Sequence, residues 1–265
     1  MVRESARIKP IILAGGFGTR APTGQFAPKQ FIKRGDTSLY QDTLSRLSFM
    51  EPPLVMANEA HRPLITQQSP SDALIIHEPI ARNTAAATVI ALLTLQHTGY
   101  QYAAIFPSDH IIHDTDAFER DIRRAVTHIQ NHPHSALFTV PATAPSPAFG
   151  YIQTDHFGNV TCFHEKPSIE QASGLLQSSY RTYWNAGIFL CTIDHVLDDL
   201  QRHNALFFNL CLAAFENPSV ATYQAIPSLS FDALYLEQAN NLFAMESSFD
   251  WADAGTAPIN KEQVA

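Results

Sequence analysis

The stretch Ile11-Ile12-Leu13-Ala14 runs straight into Gly15-Gly16-Phe17-Gly18, a short apolar strand that opens into a turn free of side-chain bulk. Such a strand-to-glycine junction is how an α/β ligand site opens, because the loop at a strand's carboxyl end is where backbone N–H groups meet a ligand. Further apolar strand candidates recur at 54–57, 74–76, 103–106 and 136–140, with helical stretches between several of them. That alternation predicts a mostly parallel sheet. Asn83 or Thr84 can cap a helix that buries Val89, Ile90, Leu92 and Leu93 and ends near Gly99. Thr115 can cap another, with Phe118, Ile122, Val126 and Ile129 on one stripe.

From about residue 149 the rhythm changes. Strand-like 149–154, a turn at 155–159 and strand-like 160–165 read as an antiparallel hairpin inserted on the sheet. Residues 186–190 form another buried strand, 193–201 and 205–215 are helical, and 242–245 is a last strand. With no internal repeat and no low-complexity linker, the 265 residues read as one continuous α/β domain.

Charge narrows the partners. With 17 Lys and Arg against 25 Asp and Glu, the net charge of −8 repels a polyanion, so no nucleic-acid partner is expected. The most apolar stretch, 85–95, is too short to span a bilayer, no secretory leader is evident, and a cytoplasmic location with no membrane partner is expected. Cys162, Cys191 and Cys211 lie far apart and read as buried thiols of a reducing compartment. His110, His113 and Asp114, and the set His128, His132 and His134, match no zinc pattern, so zinc is not expected.

Gly16-x-Gly18-x-x-Ala21 with Asp36 beyond it formally matches a dinucleotide fingerprint. That fold needs a helix to start inside the turn, and Pro22, Gly24 and Pro28 stand where it would run. The loop reads better as a phosphate cradle: Ala14, Gly15, Gly16, Gly18 and Thr19 offer backbone N–H groups, and Arg20 and Lys29 supply positive charge.

Leu13-Ala14-Gly15-Gly16-Phe17-Gly18-Thr19-Arg20 followed by Pro28-Lys29-Gln30-Phe31 resembles the signature of sugar-1-phosphate nucleotidyltransferases, most closely the mannose-1-phosphate guanylyltransferases. Ordered segments support the resemblance: Glu78-Pro79-Ile80-Ala81-Arg82-Asn83-Thr84-Ala85, Pro107-Ser108-Asp109-His110, Phe163-His164-Glu165-Lys166-Pro167, Tyr183-Trp184-Asn185-Ala186-Gly187, the run Ser230 to Glu237, and Trp251-Ala252-Asp253-Ala254-Gly255. It implies a three-layer, Rossmann-like α/β fold with a mixed, mostly parallel sheet and an inserted antiparallel sugar-binding region. The nucleotide-binding part would cover about residues 8–145 and the sugar-phosphate part about 146–257.

The activity implied is transfer of GMP from GTP to mannose 1-phosphate, giving GDP-mannose and pyrophosphate, Mg²⁺-dependent and without a covalent intermediate. Such chemistry is positioning and charge neutralisation. The resemblance makes Arg20, Lys29, Asp109 and Asp253 catalytic, with Asp109 and Asp253 meeting at one Mg²⁺, an ion content with one or two carboxylates. Glu78, Arg82, Asn83 and Thr84 would lie against the nucleoside, although helix capping by Asn83 or Thr84 accounts for them equally well. Glu165 would hold sugar hydroxyls, Lys166 the sugar phosphate and Asn185 the sugar, while Gly150 would let the sugar approach the backbone; a surface ion pair and a hairpin glycine are the plainer readings.

The chain departs from the pattern in three places. The 21–27 loop reaches Pro28 sooner than in the family, the sugar-side segment Pro147-Ala148-Phe149-Gly150 lacks its first glycine, and the family's C-terminal extension, which helps subunits associate, is absent; a homodimer stays open. A non-catalytic nucleotide-sugar-binding regulator and a transferase for another sugar 1-phosphate are the competing readings.

Overall fold

The computed structural model describes residues 7–17 and 28–254. Nine strands form the main sheet. They are β1 (Ile8–Leu13), β2 (Leu54–Asn58), β3 (Leu74–Glu78), β4 (Tyr102–Pro107), β5 (Ser135–Pro141), β6 (Tyr151–Thr154), β7 (Val160–His164), β8 (Arg181–Thr192) and β9 (Leu242–Glu246). The helices that matter for the site are α1 (Leu39–Arg46), α2 (Arg62–Gln68), α3 (Asn83–His97), α4 (Thr115–Asn131), α5 (Ile169–Gln177), α6 (Ile193–His203), α7 (Ala205–Glu216) and α8 (Val220–Ala225).

The run β3-β2-β1-β4 is wholly parallel. Within it, β1 carries Pro10, which has no N–H to give a ladder. It is tolerated because pairing to β2 starts only at Ile11. Alternation then divides the core into the expected layers. Ile11, Leu54 and Met56 face α3, α6 and α7, whereas Ile12, Val55 and Ala57 face α4 and its neighbours.

β8 is longer than the strand expected at 186–190. It runs antiparallel to β4, β5 and β6, so the β6–β7 hairpin joins the same sheet as an extension. Its register shifts between Asn185 and Phe189. At the shift Gly187 has φ 69°, and a Cβ there would stand 3.2 Å from His110 Cε1 and 3.3 Å from Pro107 Cγ. The bulge re-aims Asn185 toward the carboxyl end of β4.

Two helix starts differ from the expected caps. Asp114, not Thr115, caps α4 by accepting from the Ala117 N–H. At α3, Asn83 takes φ 63° and its Oδ1 accepts from the Thr84 N–H, while the Thr84 hydroxyl accepts from the Phe231 N–H. Thr84 thus tethers a distant segment instead of closing the helix turn. α1, α2, α5 and α8 have no counterpart in the reading above; each is short, and propensity alone marks such helices weakly. Cys191 and Cys211 are buried as expected, but Cys162 is only partly so, with Sγ 3.1 Å from His164 Nε2.

Replacing Gly187 by alanine should cost about 1–3 kcal/mol, because the added Cβ meets strained backbone and two close neighbours at once. Thermal unfolding of Gly187→Ala measures this, and an unchanged melting temperature would contradict the packing described.

Candidate active site

The glycine loop is held from behind. Ala14 extends the sheet by donating its N–H to the Met56 carbonyl at 2.8 Å. Gln30, almost fully buried, donates its amide to the carbonyls of Ala14 (3.0 Å) and Gly16 (2.8 Å). Gln30 therefore spends its donors on the loop's shape, and Gly16 remains open, with nothing near its absent Cβ. Gly18, Thr19 and Arg20 lie outside the described residues.

Gln30 sits in the short turn Lys29–Phe31 that starts at Pro28, which fixes where Lys29 enters the cleft. The Lys29 ammonium lies 2.6 Å from Asp109 Oδ2 and 3.5 Å from Asp253 Oδ1. Burial pulls its pKa down, and the two carboxylates more than offset that, leaving it above the ordinary lysine value. Asp109 hangs just past the carboxyl end of β4. Asp253 reaches it because Ala252 and Asp253 pair antiparallel with Ile111 and His110.

That late segment is latched. Asp250 accepts from the His113 and Asp114 N–H groups at 2.9 and 2.8 Å, and the Trp251 indole donates to His110 Nδ1 at 3.2 Å. Burial keeps the His110 imidazole below its ordinary pKa, so it is neutral and can accept that bond. Phe149 wedges between Trp251 (ring centroids 5.5 Å apart) and Trp184 (4.8 Å). An aromatic chain thus joins the residue before Gly150, the residue before Asn185 and the residue two before Asp253.

Across the cleft, Asn185 donates through Nδ2 to Asp232 Oδ1 at 2.8 Å and accepts the Gly187 N–H at 2.9 Å. A Cβ on Gly150 would lie 3.2 Å from Glu165 Oε2 and 3.4 Å from Asn185 Cβ, so the gap above Gly150 is bounded by both side chains. Lys166 follows the end of β7 at φ 44°, a strained value for a lysine, and its ammonium is 2.8 Å from Glu165 Oε1. Glu237 fixes this corner by accepting the Glu165 N–H at 2.8 Å.

Asp232, which the sequence reading left without a role, lines the cleft at the head of the π-helical turn Asp232–Leu236. Burial, with Glu165 nearby, pushes its carboxyl up to about 6. The signal available in the sequence was an acid set among Phe231, Ala233 and Leu234.

The expected nucleoside segment is divided by the structure. Glu78, Asn83 and Thr84 line the cleft beside Gly15, Gly16 and Lys29, in a cavity of about 380 Å³. Arg82 turns away, donating to the carbonyls of Tyr223 (2.9 Å) and Gln224 (2.8 Å), and so secures α8. Glu78 is almost fully buried with Oε1 unpartnered, and a Cβ on Gly15 would come within 2.8 Å of its Oε2. Burial raises its carboxyl to about 8, which favours the protonated acid at neutral pH.

The open sheet with a cleft at the strands' carboxyl ends is the ligand-binding arrangement of an α/β protein. The chain belongs to the nucleotidyl transferase family, whose model matches residues 9–258. It is 33% identical to the alginate biosynthesis protein AlgA of Pseudomonas aeruginosa, over 93% of this chain and 56% of that protein. It is also 33% identical to a mannose-1-phosphate guanylyltransferase of Sinorhizobium fredii, over 94% of this chain and 54% of that one. The chain thus spans about half the length of the curated relatives it matches. A crystal structure described as mannose-6-phosphate isomerase from Helicobacter pylori superposes with TM-score 0.81 at 28% identity, covering 93% of this chain and all of that one. No described helix is long and apolar enough to cross a membrane.

Glu78 generates a pH prediction. In the unfolded chain its carboxyl ionises near 4.5, whereas the folded protein keeps the proton until about 8. Stability must therefore fall as pH rises through that window. Glu78→Gln should match the parent near pH 4 and be the more stable of the two at pH 8, as read by thermal unfolding across the range. Parallel curves for the two proteins would contradict the buried, protonated carboxyl.

Proposed function

We propose that this chain transfers GMP from GTP to mannose 1-phosphate, releasing pyrophosphate and forming GDP-mannose. The observation that carries the reading is the convergence of Lys29, Asp109 and Asp253 from three distant parts of the chain, with Lys29 and Asp109 lining a cleft whose wall also carries Asn185 and Asp232. The names of the curated relatives support the choice of sugar and base.

In this reading Gly15 and Gly16 approach the triphosphate and Lys29 pairs with its oxygens. Glu78, Asn83 and Thr84 face the base. Lys166 holds the phosphate of the incoming sugar so that one of its oxygens lies in line with the α-phosphorus and the leaving pyrophosphate. Glu165 and Asn185 take sugar hydroxyls above Gly150, with Asp232 orienting the Asn185 amide. No protein nucleophile is needed, since the oxygen that attacks already carries negative charge.

Among the described residues no trio of His, Cys, Asp or Glu is arranged as a metal site. Asp109 and Asp253 nevertheless fit Mg²⁺, because two hard-oxygen donors already converge on one cation and Mg²⁺ takes its other ligands from water and phosphate. When bound there, the ion would supply charge neutralisation for the phosphates during transfer.

A matrix of nucleoside triphosphates against sugar 1-phosphates, read by pyrophosphate release, tests the assignment, with GTP and mannose 1-phosphate expected to give the highest rate. Asp109→Asn and Asp253→Asn should each lower turnover by about two to three orders of magnitude, the scale of losing a principal electrostatic stabiliser. Lys166→Ala should chiefly raise the KM for the sugar phosphate. Tight GDP-mannose binding without pyrophosphate release for any pair would point to a regulatory binder instead.

A further inference from the structure

Asp109 and Asp253 both reach one ammonium, that of Lys29, so their like charges face a shared cation. The Lys29 ammonium touches Asp109 at 2.6 Å and Asp253 at 3.5 Å, while the side chain stays about 29% exposed. Its backbone has little freedom. Pro28 precedes it, the Phe31 N–H bonds back to the Pro28 carbonyl at 3.0 Å, and the next side chain, Gln30, is bonded to the carbonyls of the glycine loop. Only the flexible four-carbon stem of Lys29 can move without dismantling that loop.

We propose that Lys29 is the resident cation of this carboxylate pair, holding the place of a divalent ion and yielding it when nucleotide phosphates draw the ammonium toward the glycine loop. The inference rests on the reading of Asp109 and Asp253 as a metal pair. A hard divalent ion bound to the same oxygens would sit about 2.0–2.1 Å from each, leaving no room for an ammonium already at hydrogen-bond distance from them. Lys29 lines the same cleft as Gly15 and Gly16, so its transfer to a phosphate needs only side-chain rotation. The empty cleft should therefore bind Mg²⁺ poorly, and the ion should enter together with the nucleotide, whose phosphates take over the charge of Lys29. Lys29 would then act twice, as a stand-in before binding and as a phosphate ligand after it.

The test uses the full chain without nucleotide, and MgCl2 as the probe. Calorimetry and thermal unfolding are run with MgCl2 or with NaCl at matched ionic strength on the parent, Lys29→Met, and Lys29→Met combined with Asp253→Asn. Lys29→Met should bind Mg²⁺ at least about tenfold more tightly than the parent, since it removes the competing charge and leaves both carboxylates. Its melting temperature should rise with MgCl2 and not with NaCl, and the double variant should lose that response. Equal or weaker Mg²⁺ affinity in Lys29→Met, or a response that survives in the double variant, overturns the proposal. Should Lys29→Met not fold in metal-free buffer, recovery with MgCl2 alone is the expected result, and failure to recover overturns it. No step of this test reads turnover, so a silent pyrophosphate assay counts against the proposed function and not against this exchange of cations.

Discussion

One ammonium shared by two carboxylates is the interaction around which this molecule is arranged. Lys29 and Asp253 are 224 positions apart in the chain, and bringing them together with Asp109 requires three separate pieces of structure. The parallel run β3-β2-β1-β4 delivers Asp109 at a strand end. The Pro28 turn, with Gln30 bolted to the glycine loop, delivers Lys29. The short pairing of Ala252 and Asp253 with Ile111 and His110 delivers the third member. Each charge is partly buried, so desolvation makes each costly, and the opposite charge beside it offsets part of that cost.

The Asp109–Asp253 end of the site is physically continuous with the corner that holds Gly150 and Asn185. Trp184, Phe149, Trp251 and His110 touch in sequence, and the chain ends in a hydrogen bond between the last two. The bulge at Gly187 adds a second link, because the same imidazole that Trp251 holds leans on it. A displacement of the hairpin that carries Gly150 is therefore felt at Asp253 through close-packed rings, which transmit strain instead of absorbing it.

The strands of the parallel half were legible in the sequence because each is a compact apolar run bounded by turn residues, α3 because its apolar run is long and uninterrupted, and α4 because its apolar stripe recurs at helical spacing. What was not legible depended on tertiary contact. The full length of β8 is set by its three partners, not by its own composition, and the swap of the α4 cap from Thr115 to Asp114 is a matter of one residue of register. Arg82 and Asn83 are adjacent in the same segment, yet one is turned outward by the carbonyls of α8 while the other lines the cleft; nothing local distinguishes them. The carboxyls of Glu78 and Asp232 are made weaker acids by burial under distant segments, with Glu165 adding to the effect at Asp232. The charges of the site were visible one by one, whereas their pairing was not.

On the proposed function these dispersed charges form one site for a nucleotide sugar, with the diphosphate toward Lys29 and the sugar over Gly150. The most direct measurement is a crystal structure of the full chain grown with GDP-mannose and MgCl2. Sugar hydroxyls on Glu165 and Asn185, the diphosphate beside Gly15 and Gly16, and the Lys29 ammonium on a phosphate oxygen and no longer on Asp253 are the expected result. Nucleotide sugar bound outside this cleft, or in it with Asp109 and Asp253 remote from the diphosphate, would overturn the assignment.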